Sequence, residues 1–218
     1  MTGEEEEDLP YGENFHDEGE ARAWAEAADR KRPWRSMIFD RFASAVLLSS
    51  VAAPSILELG SGPGFLAAHV LDRCPDLRHY TLLDFSEPML AQSRRRLAGH
   101  AARTEFIRAD FKSEAWPEQV GGPFDFIFSH QAVHELRHKR HAPRLYAQIR
   151  SLMSPGSVLL VCDHLPDIAP TPRHRALYMG IAEYFAVLED AGLTDVELLW
   201  SGHDMALYRA GACYSIER

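Results

Sequence analysis

The chain of 218 residues has no run of 18 apolar residues, so no apolar membrane-spanning helix is expected. Its beginning is acidic where a secretory leader would be basic. Its three cysteines, Cys74, Cys162 and Cys213, are odd in number and far apart, and they form no C-x-x-C pair. A disulfide framework and a cysteine-based metal knuckle are therefore not expected. These absences point to reduced thiols in a cytoplasmic protein, neither exported nor bound to a membrane. Internal repeats are lacking, and so is a linker long enough to separate a second domain. Net charge is also lacking outside the first residues. Residues 1–20 hold nine acids and no Lys or Arg, which leaves 23 acids and 23 bases from residue 21 onward. A neutral body argues against a nucleic-acid partner, because phosphate contacts need a net basic surface. Residues 1–10 read as a solvated, disordered acidic tail.

From residue 11 onward the sequence reads as one domain. Residues 18–30 are rich in Ala, Glu and Arg, and Pro33 stops that helix. Apolar residues then recur with a helical period at Met37, Ile38, Phe42, Val46 and Leu47. Residues 11–50 are thus expected to form a helical lid bearing Tyr11, Phe15, Trp24 and Trp34. Residues 51–218 form the core. Short apolar runs there alternate with helical segments: SILEL, HYTLLDF, TEFIRAD, FDFIFSH and SVLLVCDH, each followed by a helical or turn segment. Strand-helix repetition of this kind predicts a parallel α/β sheet with right-handed crossovers. VELLWSG and MALYRAG, close together around Gly202, predict a closing antiparallel hairpin. The segment RHRALYMGIAEYFAVLEDAG reads as one helix.

The stretch LELGSGPGF places Gly60, Ser61, Gly62 and Gly64 behind the first strand. Ligands of open parallel sheets sit beyond the strands' carboxyl ends, and glycine lets a ligand approach the backbone closely. Glu58, two residues before Gly60, is suited to hold an ammonium group. Asp84 ends the second strand 20 residues past Gly64, where an acid can accept both hydroxyls of a ribose. Asp110 and Phe111 follow the third strand; a carboxylate there can accept from an adenine amino group while the ring packs on the base. Arg35 is placed to reach a cofactor carboxylate.

The spacing is not the dinucleotide G-x-G-x-x-G pattern. E-L-G-S-G-P-G, followed by LLDFS, FIRAD, FDFIFS and SPGSVLLVCD in order over residues 55–163, resembles the class I S-adenosylmethionine-dependent methyltransferases. The resemblance implies a Rossmann-like seven-stranded sheet, order 3-2-1-4-5-7-6, with the last strand antiparallel and helices on both faces. It implies S-adenosylmethionine as cofactor. The glycine loop would take the methionine part, Asp84 with neighbouring Phe85 the ribose, Asp110 with Phe111 the adenine, and Ser129 a place near the methionyl end.

Four of the eleven histidines fall in HQAVHELRHKRH. On one continuous helix His130, His134, His138 and His141 would share a face, as metal ligands do. Pro143 argues against that helix, so no metal site is expected. His138 and His141, among Arg137, Lys139 and Arg140, read as a solvated face. His130 and His134 follow the fourth strand, and His164 ends the fifth. A neutral histidine can take the proton of an oxygen or nitrogen nucleophile, so these three are the candidate bases, with none singled out. AVHEL also resembles a segment common after this strand in methyltransferases of unrelated substrates. The resulting expectation is methyl transfer to an O, N or C acceptor on a small molecule. A protein or RNA methyltransferase and a non-catalytic S-adenosylmethionine-binding regulator remain open alternatives. The sequence does not indicate an oligomeric state.

Overall fold

The structure, a computed structural model, describes residues 7–10 and 12–212, the side chain of Asp29 excepted. The first six residues of the acidic run, Tyr11 and Cys213 lie outside the described residues. The described chain falls into two compact units, residues 12–120 and residues 7–10 with 121–212.

In the first unit Asp17 caps α1 (Glu18–Lys31), accepting the Glu20 N–H at 2.8 Å. After Pro33, α2 (Arg35–Leu47) buries Ile38, Phe39, Phe42 and Val46 along one stripe. β1 (Ser55–Leu59) is buried at every position, Ser55 and Glu58 included, so both faces are covered. α3 (Phe65–Arg73), β2 (His79–Asp84), α4 (Glu87–Arg96), β3 (Thr104–Arg108) and α5 (Trp116–Val120) follow. Ile38, Ile56, Leu57 and Leu59 are almost fully buried. Each contributes roughly 1.5–3 kcal/mol by leaving water. β1 pairs in parallel with β2, and β2 with β3. Leu59 stands opposite Leu83, so the Gly60 loop and Asp84 leave the sheet side by side.

In the second unit β4 (Phe124–His130) runs parallel to β5 (Met153–His164), with α6 (Ala142–Ser151) between them in sequence. α7 (Ile181–Asp190) precedes the hairpin of β6 (Thr194–Gly202) and β7 (Met205–Gly211), which are antiparallel to each other. β7 is antiparallel to β5 as well. His203 and Asp204 form the two-residue hairpin turn, both with positive φ, as a right-twisted hairpin needs. Tyr184 stacks on Tyr208 at 4.3 Å, joining α7 to β7. The strands order as β3-β2-β1-β4-β5-β7-β6, the expected sheet.

Two expectations differ. The long helix over RHRALYMGIAEYFAVLEDAG is a 3-10 turn at Arg173–Leu177 followed by α7. Gly180 caps α7 in extended geometry, and its N–H donates to Glu183 Oε2 at 2.7 Å. That break leaves Tyr178 outside any helix. Second, the acidic tail was expected to extend to residue 10, but residues 8–10 are seated: Leu9 is buried, and its N–H donates to the Arg137 carbonyl at 3.0 Å. Among the described residues no helix is long and apolar enough to cross a membrane.

Candidate functional site

In the first unit the sequence-predicted loop is built by its glycines. Gly60, Gly62 and Gly64 have φ of 65°, 53° and 76°, the left-handed region that side chains disfavour. The Gly60 and Ser61 N–H groups donate to the Leu83 carbonyl. Ser93 Oγ donates to the Gly62 carbonyl at 2.9 Å, and Arg96 donates to the Pro63 carbonyl. A Cβ on Gly64 would stand 2.6 Å from Ser93 Oγ, so glycine is required there sterically as well. A Cβ on Gly62 would meet nothing within 4 Å, so the loop faces open space at that point. Ser61 Oγ is buried with no hydrogen-bond partner among the described residues.

Asp84 closes the loop. Its Oδ2 accepts the Gly62 N–H at 2.7 Å and its Oδ1 the Ser86 N–H at 2.9 Å. Ser86 caps α4 and donates to the Phe15 carbonyl, while His16 meets Phe85 edge-on at 5.2 Å. Glu58 is buried and accepts from the Tyr80 hydroxyl at 2.7 Å. Burial pushes its carboxyl up to about 8, against the pull of Tyr80 and Arg35 and with a push from Asp84. Arg35, also buried, lies over the Phe65 ring at 4.7 Å, and Arg96 lies over the same ring at 3.9 Å. Asp110 is exposed and accepts the Lys112 N–H at 2.8 Å, while Phe111 is buried.

In the second unit the turn after β4 meets the end of β5. His134 Nδ1 stands 2.7 Å from Asp163 Oδ1, its backbone N–H donates to Asp163 Oδ2 at 2.8 Å, and its Nε2 lies 3.4 Å from Glu135 Oε1. Burial alone would lower His134, but the two carboxylates raise it to about 10. That direction favours the charged ring, the opposite of the neutral form in which a histidine takes a proton. Burial opposes the charge of Asp163, yet His134 and the His164 N–H keep it below the usual carboxylate range. His164 Nε2 is 3.0 Å from the Gln131 amide nitrogen. The rings of His134, His164 and Tyr178 lie 5.4–6.1 Å apart. Ser129 and His130 end β4, both buried.

The four clustered histidines do not share a helix face. Two 3-10 turns, Val133–Leu136 and Lys139–His141, divide them. Among the described residues no three His, Cys, Asp or Glu side chains converge as a metal site would require. The segment 137–141, expected to be a solvated face, is so only in part, because Arg137 is buried.

A profile described as the methyltransferase domain matches residues 56–156. Trans-aconitate 2-methyltransferase of Methylobacterium nodulans is 35% identical over 172 residues, covering 77% of this chain and 61% of that protein. The chain belongs to the class I S-adenosylmethionine-dependent methyltransferases. Release factor glutamine methyltransferase of Chlorobaculum tepidum is 38% identical over 84 residues, which are 38% of this chain and 28% of that protein. The chain thus spans from about a quarter to three fifths of the length of these curated relatives. Human N-acetylserotonin methyltransferase, solved in complex with its S-adenosylmethionine, shares the fold at a TM-score of 0.68 and 17% identity. That likeness covers 94% of this chain and 61% of the human one.

Three features of the chain were not singled out in the sequence. Glu135 was given no role, Arg137 was read beside a solvated face, and Tyr178 was counted inside a helix. Gly180 was the available signal for the third, since a glycine can open a helix as well as interrupt one.

Proposed function

We propose that this chain transfers a methyl group from S-adenosylmethionine to an acceptor on a small molecule. The bound cofactor supplies an electrophilic methyl on a sulfonium. The observation that carries the small-molecule reading is the extent of likeness. The trans-aconitate enzyme matches over 172 residues, whereas the release factor enzyme matches over only 84.

The residues present fit the cofactor. The loop faces open space at Gly62, and the orphaned Ser61 hydroxyl awaits a partner. Glu58 and Arg35 provide an acid and a base for the ammonium and carboxylate of an amino acid. Asp84, an ionisable carboxylate at the end of β2, accepts the ribose hydroxyls. Asp110 and Phe111 serve the adenine, and Phe85 lies beside Asp84. At the end of β4 and β5, His130 and His164 take an acceptor's proton where it has one, while His134 stays charged. Positioning supplies much of the rate in such a transfer.

The test supplies methyl-labelled S-adenosylmethionine with a panel of carboxylic acids, phenols and amines, and separately with a protein fraction. Label in a small molecule with equal S-adenosylhomocysteine supports the reading. Label only in protein overturns it, and cofactor binding without turnover on any acceptor points to a regulator.

A further inference from the structure

We propose that Arg137 is a positioning residue for the His134 ring, and that the segment from Asp8 to Pro10 acts on that ring through it. Arg137 is buried and holds a left-handed φ of 66°, a strained conformation for a non-glycine residue. Its guanidinium divides its donors. Nε donates to the Leu9 carbonyl at 3.0 Å, one terminal nitrogen donates to the Pro10 carbonyl, and the other meets Glu135 Oε2 at 3.3 Å. The remaining Glu135 oxygen faces His134 Nε2 at 3.4 Å, and Asp163 holds the opposite ring nitrogen at 2.7 Å. An unbroken polar line therefore runs from the backbone of residues 9 and 10 to the imidazolium.

The chemistry favours a role beyond anchoring. Leu9 N–H already bonds to the Arg137 carbonyl, and Asp8 is held by Arg140 and His141, each at 2.8 Å. An arm of a buried guanidinium spent on Glu135 does something those bonds do not: it fixes the direction of a carboxylate. A charged fork is suited to this because its geometry is rigid and a lysine's is not. With Glu135 fixed on one nitrogen and Asp163 on the other, the His134 ring cannot turn. His164 and Tyr178 then pack on an immobile neighbour. The groups facing His134 are Asp163 and His164 from β5, Glu135 and Arg137 from the turn, and Tyr178.

The test uses the full chain and reads the imidazole titration of His134 by NMR, which needs no turnover. The proposal rests on the methyl-transfer reading only for its second readout. Arg137→Ala and Leu9→Asp should each release Glu135 and lower the His134 midpoint by about one pH unit or more. Glu135→Gln should lower it similarly, and adding Arg137→Ala to it should do nothing further. The sign is decisive. If Glu135 stayed in place, removing the Arg137 charge would raise the midpoint. A rise or no change in Arg137→Ala, or in Leu9→Asp should Arg137→Ala not fold, overturns the proposal. Where an acceptor is found, Arg137→Ala should lower kcat about tenfold with cofactor affinity within twofold, and Arg137→Lys should not restore it. A falling midpoint without turnover on any acceptor would leave the proposal standing and count against the methyl-transfer reading instead.

Discussion

Raising the pH from 6 to 7 should tighten cofactor binding about tenfold, and Glu58→Gln should abolish that response. Glu58 sits in β1, buried, with Tyr80 donating to it at 2.7 Å. Burial pushes its carboxyl up to about 8, so the unliganded chain holds a proton there at pH 7 in roughly nine molecules of ten. An ammonium group brought beside it favours the charged form and returns the carboxyl toward its ordinary range. Binding must then expel close to one proton at pH 7. The sign follows from linkage: the free chain binds more protons than the complex, so affinity rises with pH below about 8. Tenfold corresponds to about 1.4 kcal/mol. A free α-amino group itself titrates near ~8, so the gain levels off there and reverses above it. The assay is calorimetry in two buffers of different protonation enthalpy, at pH 6, 7 and 8. Wild type should release about 0.8 proton at pH 7, roughly 0.9 from Glu58 less about 0.1 regained by the amino group. The variant keeps the side chain's shape but has no proton to lose, so its affinity should be flat from pH 6 to 7. Equal wild-type affinity at pH 6 and 7, with no buffer dependence of the heat, would refute the placement of an ammonium at Glu58.

His134 is raised to about 10, so the stability it contributes is fully present below its unfolded value near 6.5 and is lost as pH rises through about 10. Urea unfolding at pH 7 and 10 should show that loss in the wild type and a much smaller one in His134→Asn; parallel losses would contradict the pairing with Asp163. Gly64→Ala places a Cβ 2.6 Å from Ser93 Oγ at a φ of 76°, and should cost roughly 1–3 kcal/mol in unfolding experiments, more than Gly62→Ala, where space is open.

The cofactor loop was legible because its signals are local. Three glycines behind an apolar run, and an acid at the end of the next strand, lie within one stretch of sequence and meet through parallel pairing. The ionisation of Glu58 was not legible, since it depends first on how completely β1 is buried, with Tyr80, 22 residues away on the neighbouring strand, opposing the shift. Strand order came from the resemblance and not from periodicity, because pattern shows strands without their neighbours. Arg137 was hidden for a clearer reason. R-H-K-R-H has the composition of a solvated face, and the burial of its first member depends on Leu9, 128 residues earlier in the chain. Likewise, the pairing of His134 with Asp163 was not legible, because the two lie 29 residues apart on different elements. Tyr178 was lost to the long apolar period around it, which concealed a break at Gly180.

The most direct measurement is calorimetric titration of S-adenosylhomocysteine into the wild type and Asp84→Ala, with NAD as the control ligand. Asp84 holds the Gly62 and Ser86 N–H groups at 2.7 and 2.9 Å and stands where the ribose acceptor is proposed. The account predicts one site per chain, weakened by roughly 1.5–3 kcal/mol in the variant, with no binding of NAD. Absence of S-adenosylhomocysteine binding in the folded wild type, or equal affinity in Asp84→Ala, would contradict it.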